Sequence, residues 1–475
     1  MDAGRGAYHG ARPMMRPHGV ALGTLLGTLA MEAAAAPGNT STAGAAAKSA
    51  VAIPYVRHAL PNGLTVLLHE DHTSPLVVVN VNVQVGSRDE KLKRTGFAHL
   101  FEHLMFMGTE RVPEKMFDAW MEKEGGSNNA WTSQDRTDYY DVGPSHILPL
   151  LLWMEADRAS ELGRQITQDK LDTQRDVVKN ERRQQVENQP YGKAELVLPE
   201  LLYPAGHPYH HPVIGSHEDL EAASVADVRA FFAENYVPAN SSLVVAGDFD
   251  PKTAMPLVEK YFGAIPAAKA PARAAAPPPV KLDGEKRQTL EDNVSLPKVI
   301  MAWHSPAHFS PGDAELDLFA AVLTSGKASR LYQPLVYEKQ LAQSVQAYQS
   351  SQSQGSYFTI EAIARPGVSL DDLEKELDAE LAKVRGVPVR PDELERARIS
   401  YETSFVSRVQ GLATRASMLN GYFAERGDPG YIQADLDRYL KATPAELMRY
   451  ADQTLDPKAR VVVRILPKAQ PARQP

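Results

Sequence analysis

Residues 224–245, SVADVRAFFAENYVPANSSLVV, return in altered form at residues 443–463 as TPAELMRYADQTLDPKARVVV. The first copy reads as a charged helix over Ser224–Glu234 running into a strand over Ser242–Ala246. A second pair lies earlier in each copy: LFEHLMFMG at 100–108 and LFAAVLTSG at 318–326, offset by 218 residues against 219 for the first pair. Two matches at almost one offset indicate a duplicated domain. Each copy mixes strands and helices without strict alternation. The expected class is therefore α+β, two homologous α/β sandwich domains, each a mixed β-sheet covered by helices. Residues 267–280, AAKAPARAAAPPPV, have the composition of a linker. The expected layout is an N-terminal domain over 50–266, a Pro/Ala-rich linker over 267–285 and a C-terminal domain over 286–468.

Within the first copy, Val79, Val81, Val83 and Val85 alternate with Asn80, Asn82 and Gln84, which predicts a half-buried strand over Leu76–Val85. Pro61-Asn62-Gly63 predicts a turn ahead of the apolar Leu64–Leu68. Helical patterns follow at Ala98–Phe106, Pro113–Glu124 and Thr167–Val186.

The chain has 475 residues, 43% of them hydrophobic, enough for two or more cored domains. A formal net charge of -8 is the wrong sign for generic binding to nucleic acid. The absence of cysteine excludes disulfides, thiolate metal sites and thiol nucleophiles. Any metal must rest on His, Asp or Glu, which favours zinc or another divalent transition ion. At the N-terminus Arg5, Arg12 and Arg16 precede a short apolar run, Gly19–Met31, that ends in Ala33–Ala36. This reads as a cleaved signal peptide over 1–36 and a periplasmic destination, the alternative being an Ala-rich tail. No other stretch is long and apolar enough to anchor the mature chain.

His99-Leu100-Phe101-Glu102-His103 falls within the helical pattern of the first copy. Residues i and i+4 share a helix face, so His99 and His103 can present two imidazoles to one ion. Glu102 stands beside that face, where it can take a proton from a water without being a ligand. Taken alone, the motif fits two histidines on a solvated face equally well. In the second copy the matching positions are Asp317, Ala320 and Ala321, which cannot hold the same metal. A third ligand is needed from another helix. Asp176-Val177-Val178-Lys179-Asn180-Glu181 offers Glu181, by itself one acid on a charged helix.

Together these residues resemble the pitrilysin/insulinase family of inverted-motif zinc peptidases. The resemblance covers residues 54–467 and implies one zinc per chain, with His99, His103 and Glu181 as ligands and Glu102 as general base. The family often has another Glu seven residues before the third ligand, supporting the site; here that position is Gln174. Gly125-Gly126-Ser127-Asn128-Asn129-Ala130-Trp131-Thr132 resembles the family's edge strand, which implies that Asn129 and Ala130 pair with an extended peptide. As a segment by itself it also reads as a polar turn. Asp135, Thr137 and Tyr139 continue the match, as do Gly206-His207-Pro208-Tyr209 and Ile214-Gly215. His207, His210 and His211 read as structural or exposed residues rather than ligands.

Active members of the family carry an Arg/Tyr pair in a later domain that binds substrate and steadies the oxyanion. Residues 328–345, ASRLYQPLVYEKQLAQSV, keep that segment's framework, but the expected Arg is Val336 and the expected Tyr is Gln343. Arg330 and Tyr332 belong to the framework. The resemblance then implies an unfolded peptide or oligopeptide substrate and a homologous partner subunit that supplies the pair. Such a heterodimer is favoured over a homodimer. A non-catalytic peptide-binding or assembly subunit of the same fold is the alternative.

Overall fold

In the computed structural model residues 50–468 are described, and the signal peptide expected over 1–36 lies outside them. The first half runs β1 (Val56–Ala59), β2 (Thr65–Glu70), β3 (Leu76–Val83), α1 (Phe97–Leu104), α2 (Met116–Lys123), β4 (Ser127–Thr132) and β5 (Thr137–Pro144). It continues with α3 (Leu148–Gln165), α4 (Gln168–Arg182), α5 (Lys193–Leu202), α6 (His217–Glu221), α7 (Val225–Asn235), β6 (Ser241–Gly247) and α8 (Pro251–Phe262). The second half runs β7 (Lys286–Asp292), β8 (Lys298–Ser305), α9 (Asp313–Thr324), β9 (Ala342–Ser350) and β10 (Ser356–Ala364). After these come α10 (Leu370–Gly386), α11 (Pro391–Val409), α12 (Leu412–Arg426), α13 (Ile432–Lys441), α14 (Pro444–Thr454) and β11 (Val461–Pro467). Residues 266–282, between α8 and β7, are neither helix nor strand.

The two sheets have the orders β1-β2-β6-β3-β5-β4 and β7-β11-β8-β10-β9. Leaving out β1, they match strand for strand. Each contains one parallel pair, β2 with β6 and β7 with β11, the other pairings being antiparallel. Both domains are thus mixed sheets with helices, and the repeat seen in the sequence is a repeat of topology.

On the first sheet Val77, Val79, Val81 and Val83 face Leu100, Phe101 and Leu104 of α1 and Leu151 and Leu152 of α3 in one buried cluster. Burying each such aliphatic chain stabilises the fold by about 1.5–3 kcal/mol. The same alternation predicted polar side chains facing water, and here the structure differs. Asn80 and Asn82 are as buried as the valines. The cause is α12, which comes from the second half and lies across β3 and β6 on that face. Asn420 of α12 donates through Nδ2 to Asn80 Oδ1 at 2.7 Å and to the Asn80 carbonyl at 3.0 Å, and its Oδ1 accepts from Ser242 Oγ at 2.7 Å. Asn80 and Asn82 in turn donate to the buried Asp138.

The converse holds on the second sheet. Val299, Met301, Trp303 and Val462 form its own core with α9, α10 and α14. Ile300, Ala302, Val461, Val463 and Ile465 point the other way, onto Ala194, Leu198 and Leu202 of α5 from the first half. Each half therefore roofs the other's sheet, one junction polar and the other apolar. No helix among the described residues is long and apolar enough to cross a membrane.

Candidate metal centre

Helix α1 begins where two backbones touch. Gly96 (φ 85°) lies against Gly215 (φ 70°), and a Cβ on Gly215 would sit 2.4 Å from the Gly96 Cα. No other residue type fits that approach. The first turn is held by the buried Glu90, whose carboxylate accepts from Gly96 N at 2.9 Å and Ala98 N at 2.7 Å. Asp219 accepts from Thr95 N and Oγ1, and Arg182 of α4 donates to the Gly215 carbonyl. These contacts fix the first turn of α1, and with it the helix face that carries His99 and His103, against α4.

There His99, His103 and Glu181 converge, the only group of three metal-ligating side chains within 4.8 Å of one another among the described residues. His103 Nε2 lies 3.1 Å from Glu181 Oε2 and 3.3 Å from His99 Nε2, and His99 Nε2 lies 3.6 Å from the same carboxylate oxygen. Donors about 2.0–2.2 Å from a tetrahedral zinc stand about 3.3–3.6 Å from each other. Two imidazole nitrogens and a carboxylate oxygen at these separations suit one zinc in both chemistry and spacing. Burial disfavours a protonated His103, but hydrogen bonding by Glu181 and the charges of Glu102 and Glu181 outweigh it and raise its pKa. The cluster attracts a cation.

Glu102 is fully buried, and burial pushes its pKa up to about 7 against the lowering effects of His103 and Thr132. Its Oε2 accepts from Thr132 Oγ1 at 2.5 Å, and its Oε1 has no hydrogen-bond partner among the described residues. A carboxylate near neutral pKa beside a cation site is suited to accept and return protons at pH 7. Gln174 touches His103 and donates to Met107 Sδ, so the position where the family often has a Glu is a neutral neighbour of a histidine.

Asn129 and Ala130 lie on β4, at the edge of the first sheet, and the Ala130 N–H is taken up by Asn129 Oδ1 at 2.8 Å. His207 accepts from Tyr209 N, while His210 and His211 sit at backbone carbonyls, all three outside the triad. Asp135 gathers Arg88, Tyr209 and Ser353, joining the β4–β5 turn to the β9–β10 turn. In the second half Asp317 accepts from Tyr439 OH at 2.8 Å, and burial followed by Asp313 pushes its pKa up to about 7. Val336 is buried in the short helical segment Gln333–Glu338 that follows α9, Gln343 is exposed on the edge strand β9, and Arg330 is tied to Glu393. Sequence reasoning did not single out Thr132, Glu90 or Arg182. Thr132 lay inside a quoted segment without a role; Glu90 and Arg182 act on backbone groups, and a backbone partner leaves no residue-type signal in the sequence.

Two family models match the chain: "Insulinase (Peptidase family M16)" over residues 65–209 and "Peptidase M16 inactive domain" over 222–401. The chain belongs to the peptidase M16, or pitrilysin/insulinase, family and carries both of its domains. It is 28% identical over 401 residues to the zinc protease PqqE of Helicobacter pylori, covering 83% of this chain and 88% of that one. It is 27% identical over 334 residues to a probable mitochondrial-processing peptidase subunit beta of Schizosaccharomyces pombe, covering 66% and 70% of the two chains. The crystal structure of a protease from Helicobacter pylori superposes with a TM-score of 0.81 at 26% identity, covering 88% of this chain and all of that one.

Proposed function

We propose that this protein is the zinc-bearing subunit of an exported metallopeptidase that cleaves unfolded peptides, completed by a homologous subunit. The observation that carries the reading is the convergence of His99, His103 and Glu181 at zinc-ligand spacing beside the buried Glu102. His99, His103 and Glu181 would hold the ion, and zinc bound there supplies Lewis acidity to the scissile carbonyl and the attacking water. Glu102 accepts a proton from that water at Oε1 and returns it to the leaving amine. The edge of β4 at Asn129 and Ala130 pairs with the peptide main chain and sets its register. Gln174 helps hold His103 in place.

Val336 and Gln343 support the need for a partner, since donors aimed at a developing oxyanion are worth about 3–4 kcal/mol of barrier. Membership of a family that includes a relative described as a subunit supports it further. The arginines and apolar run ahead of Ala33–Ala36 support export to the periplasm. The same two residues favour a second reading, a peptide-binding or assembly subunit without activity of its own. A quenched fluorescent peptide, incubated with the purified chain alone and with a homologue that retains Arg and Tyr, separates these. Cleavage only in the mixture supports the split site, full activity of the chain alone refutes it, and silence in both favours the second reading. Glu102→Gln should cut turnover to below about a hundredth while zinc stays bound.

A further inference from the structure

The chemistry proposed above leaves open what aims the Glu102 carboxylate. A glutamate side chain has three rotatable bonds, and its buried carboxylate must present one particular oxygen. Among the described residues the two oxygens are treated differently: Oε2 accepts from Thr132 Oγ1 at 2.5 Å, and Oε1 has no hydrogen-bond partner. Thr132 itself is held by its strand, and its hydroxyl proton goes to Glu102. That hydroxyl lies 3.3 Å from Thr137 Oγ1, which donates to the Val85 carbonyl at 2.9 Å. Thr132 and Thr137 are cross-strand partners of β4 and β5, and Thr137 is paired in turn with Val83 of β3. The backbone under Thr132 is thus paired across β4, β5 and β3, while the Thr137 hydroxyl ends on Val85, just past β3.

Thr132 also sits two residues beyond Ala130 on β4, the edge strand offered to the peptide. We propose that Thr132 is a positioning residue: its hydroxyl pins Oε2 of Glu102, turns Oε1 toward the attacking water, and ties the base to the strand that sets the peptide's register. This rests on the peptidase reading. One rigid strand then fixes both the scissile carbonyl and the proton acceptor, so their separation does not depend on two independently moving parts. Misplacing a reacting group by about 1 Å costs about a hundredfold in rate, which sets the expected effect.

The test compares Thr132→Val, which keeps the shape and removes the hydroxyl, with Thr132→Ser, which restores it. Both are made in the full chain and assayed with its partner where one is required. Thr132→Val should lower kcat about 30- to 100-fold with KM within about twofold, zinc content unchanged by metal analysis, and an unaltered melting temperature. Thr132→Ser should recover most of kcat. A Thr132→Val enzyme within about threefold of wild type, a loss confined to KM, a loss of zinc, or a serine variant no better than valine would each overturn the proposal. If the wild-type chain cleaves no peptide under any condition, the peptidase reading fails, and crystal structures decide the positioning separately. A Glu102 carboxylate rotated away in Thr132→Val upholds it, and an unchanged carboxylate overturns it.

Discussion

Replacing Asn420 with Ala should weaken the whole molecule, although the residue lies in neither domain's main core. Asn420 is completely buried and makes three hydrogen bonds to the first sheet, two to Asn80 and one from Ser242. Alanine removes all three and strands at least two groups, the Asn80 side-chain oxygen and the Ser242 hydroxyl, beneath α12. Each buried polar group left unpaired costs about 1–3 kcal/mol. The expected loss is about 3–5 kcal/mol, a large fraction of the roughly 5–15 kcal/mol that holds a typical domain folded. Ser242→Ala, which strands only the Asn420 side-chain oxygen, should cost less, about 1–3 kcal/mol. Urea unfolding followed by circular dichroism measures both losses from the midpoint shift and slope. Wild type should unfold in a single transition, because each sheet needs a helix from the other half. A loss below about 1 kcal/mol for Asn420→Ala would show that water reaches this junction and that its hydrogen bonds contribute little.

Glu181→Ala should weaken zinc binding by about a hundredfold or more, read by equilibrium dialysis against a chelator; unchanged affinity would remove Glu181 from the ligand set. Burial lowers the His308 pKa, but the Glu425 carboxylate at 2.7 Å outweighs it and the net shift is upward. The stabilisation is therefore full below about pH 6.5, the unfolded value, and is lost as pH rises through the folded pKa. The deficit of His308→Gln against wild type should shrink as the pH is raised above about 6.5, and a deficit independent of pH would refute the pairing. Limited proteolysis within 267–285 should yield two fragments that co-elute on gel filtration and separate only in denaturant. Separation without denaturant would contradict the exchange of α5 and α12.

What was legible in the sequence was local or repeated. The duplication was visible because a helix-to-strand passage recurs at a constant offset, and His99 and His103 were visible because helical spacing puts them on one face. Glu181 needed the family resemblance, since one acid on a charged helix carries no mark of what it faces. Asn80 and Asn82 were misread as solvent-facing because alternation records polarity rather than the neighbour that satisfies it. Their neighbour, Asn420, lies 340 residues further along the chain from Asn80. Thr132 was quoted without a function because a strand threonine has the same pattern whether its hydroxyl meets water or a buried carboxylate.

The exchange of roofing helices also sets an order of events during synthesis. The last strand of the first sheet ends at Gly247, but α12 begins only at Leu412. At about 5–20 residues per second, the intervening chain takes roughly ten to thirty seconds to translate. Through that interval one face of the sheet, with Val78, Val244 and the Asn80 amide, has no native cover. A chain stopped at residue 266 would be an unroofed sheet rather than a smaller folded domain, a substrate for holding chaperones and for aggregation. The half that carries the metal ligands is made first, yet it waits for a helix of the other half to cover it.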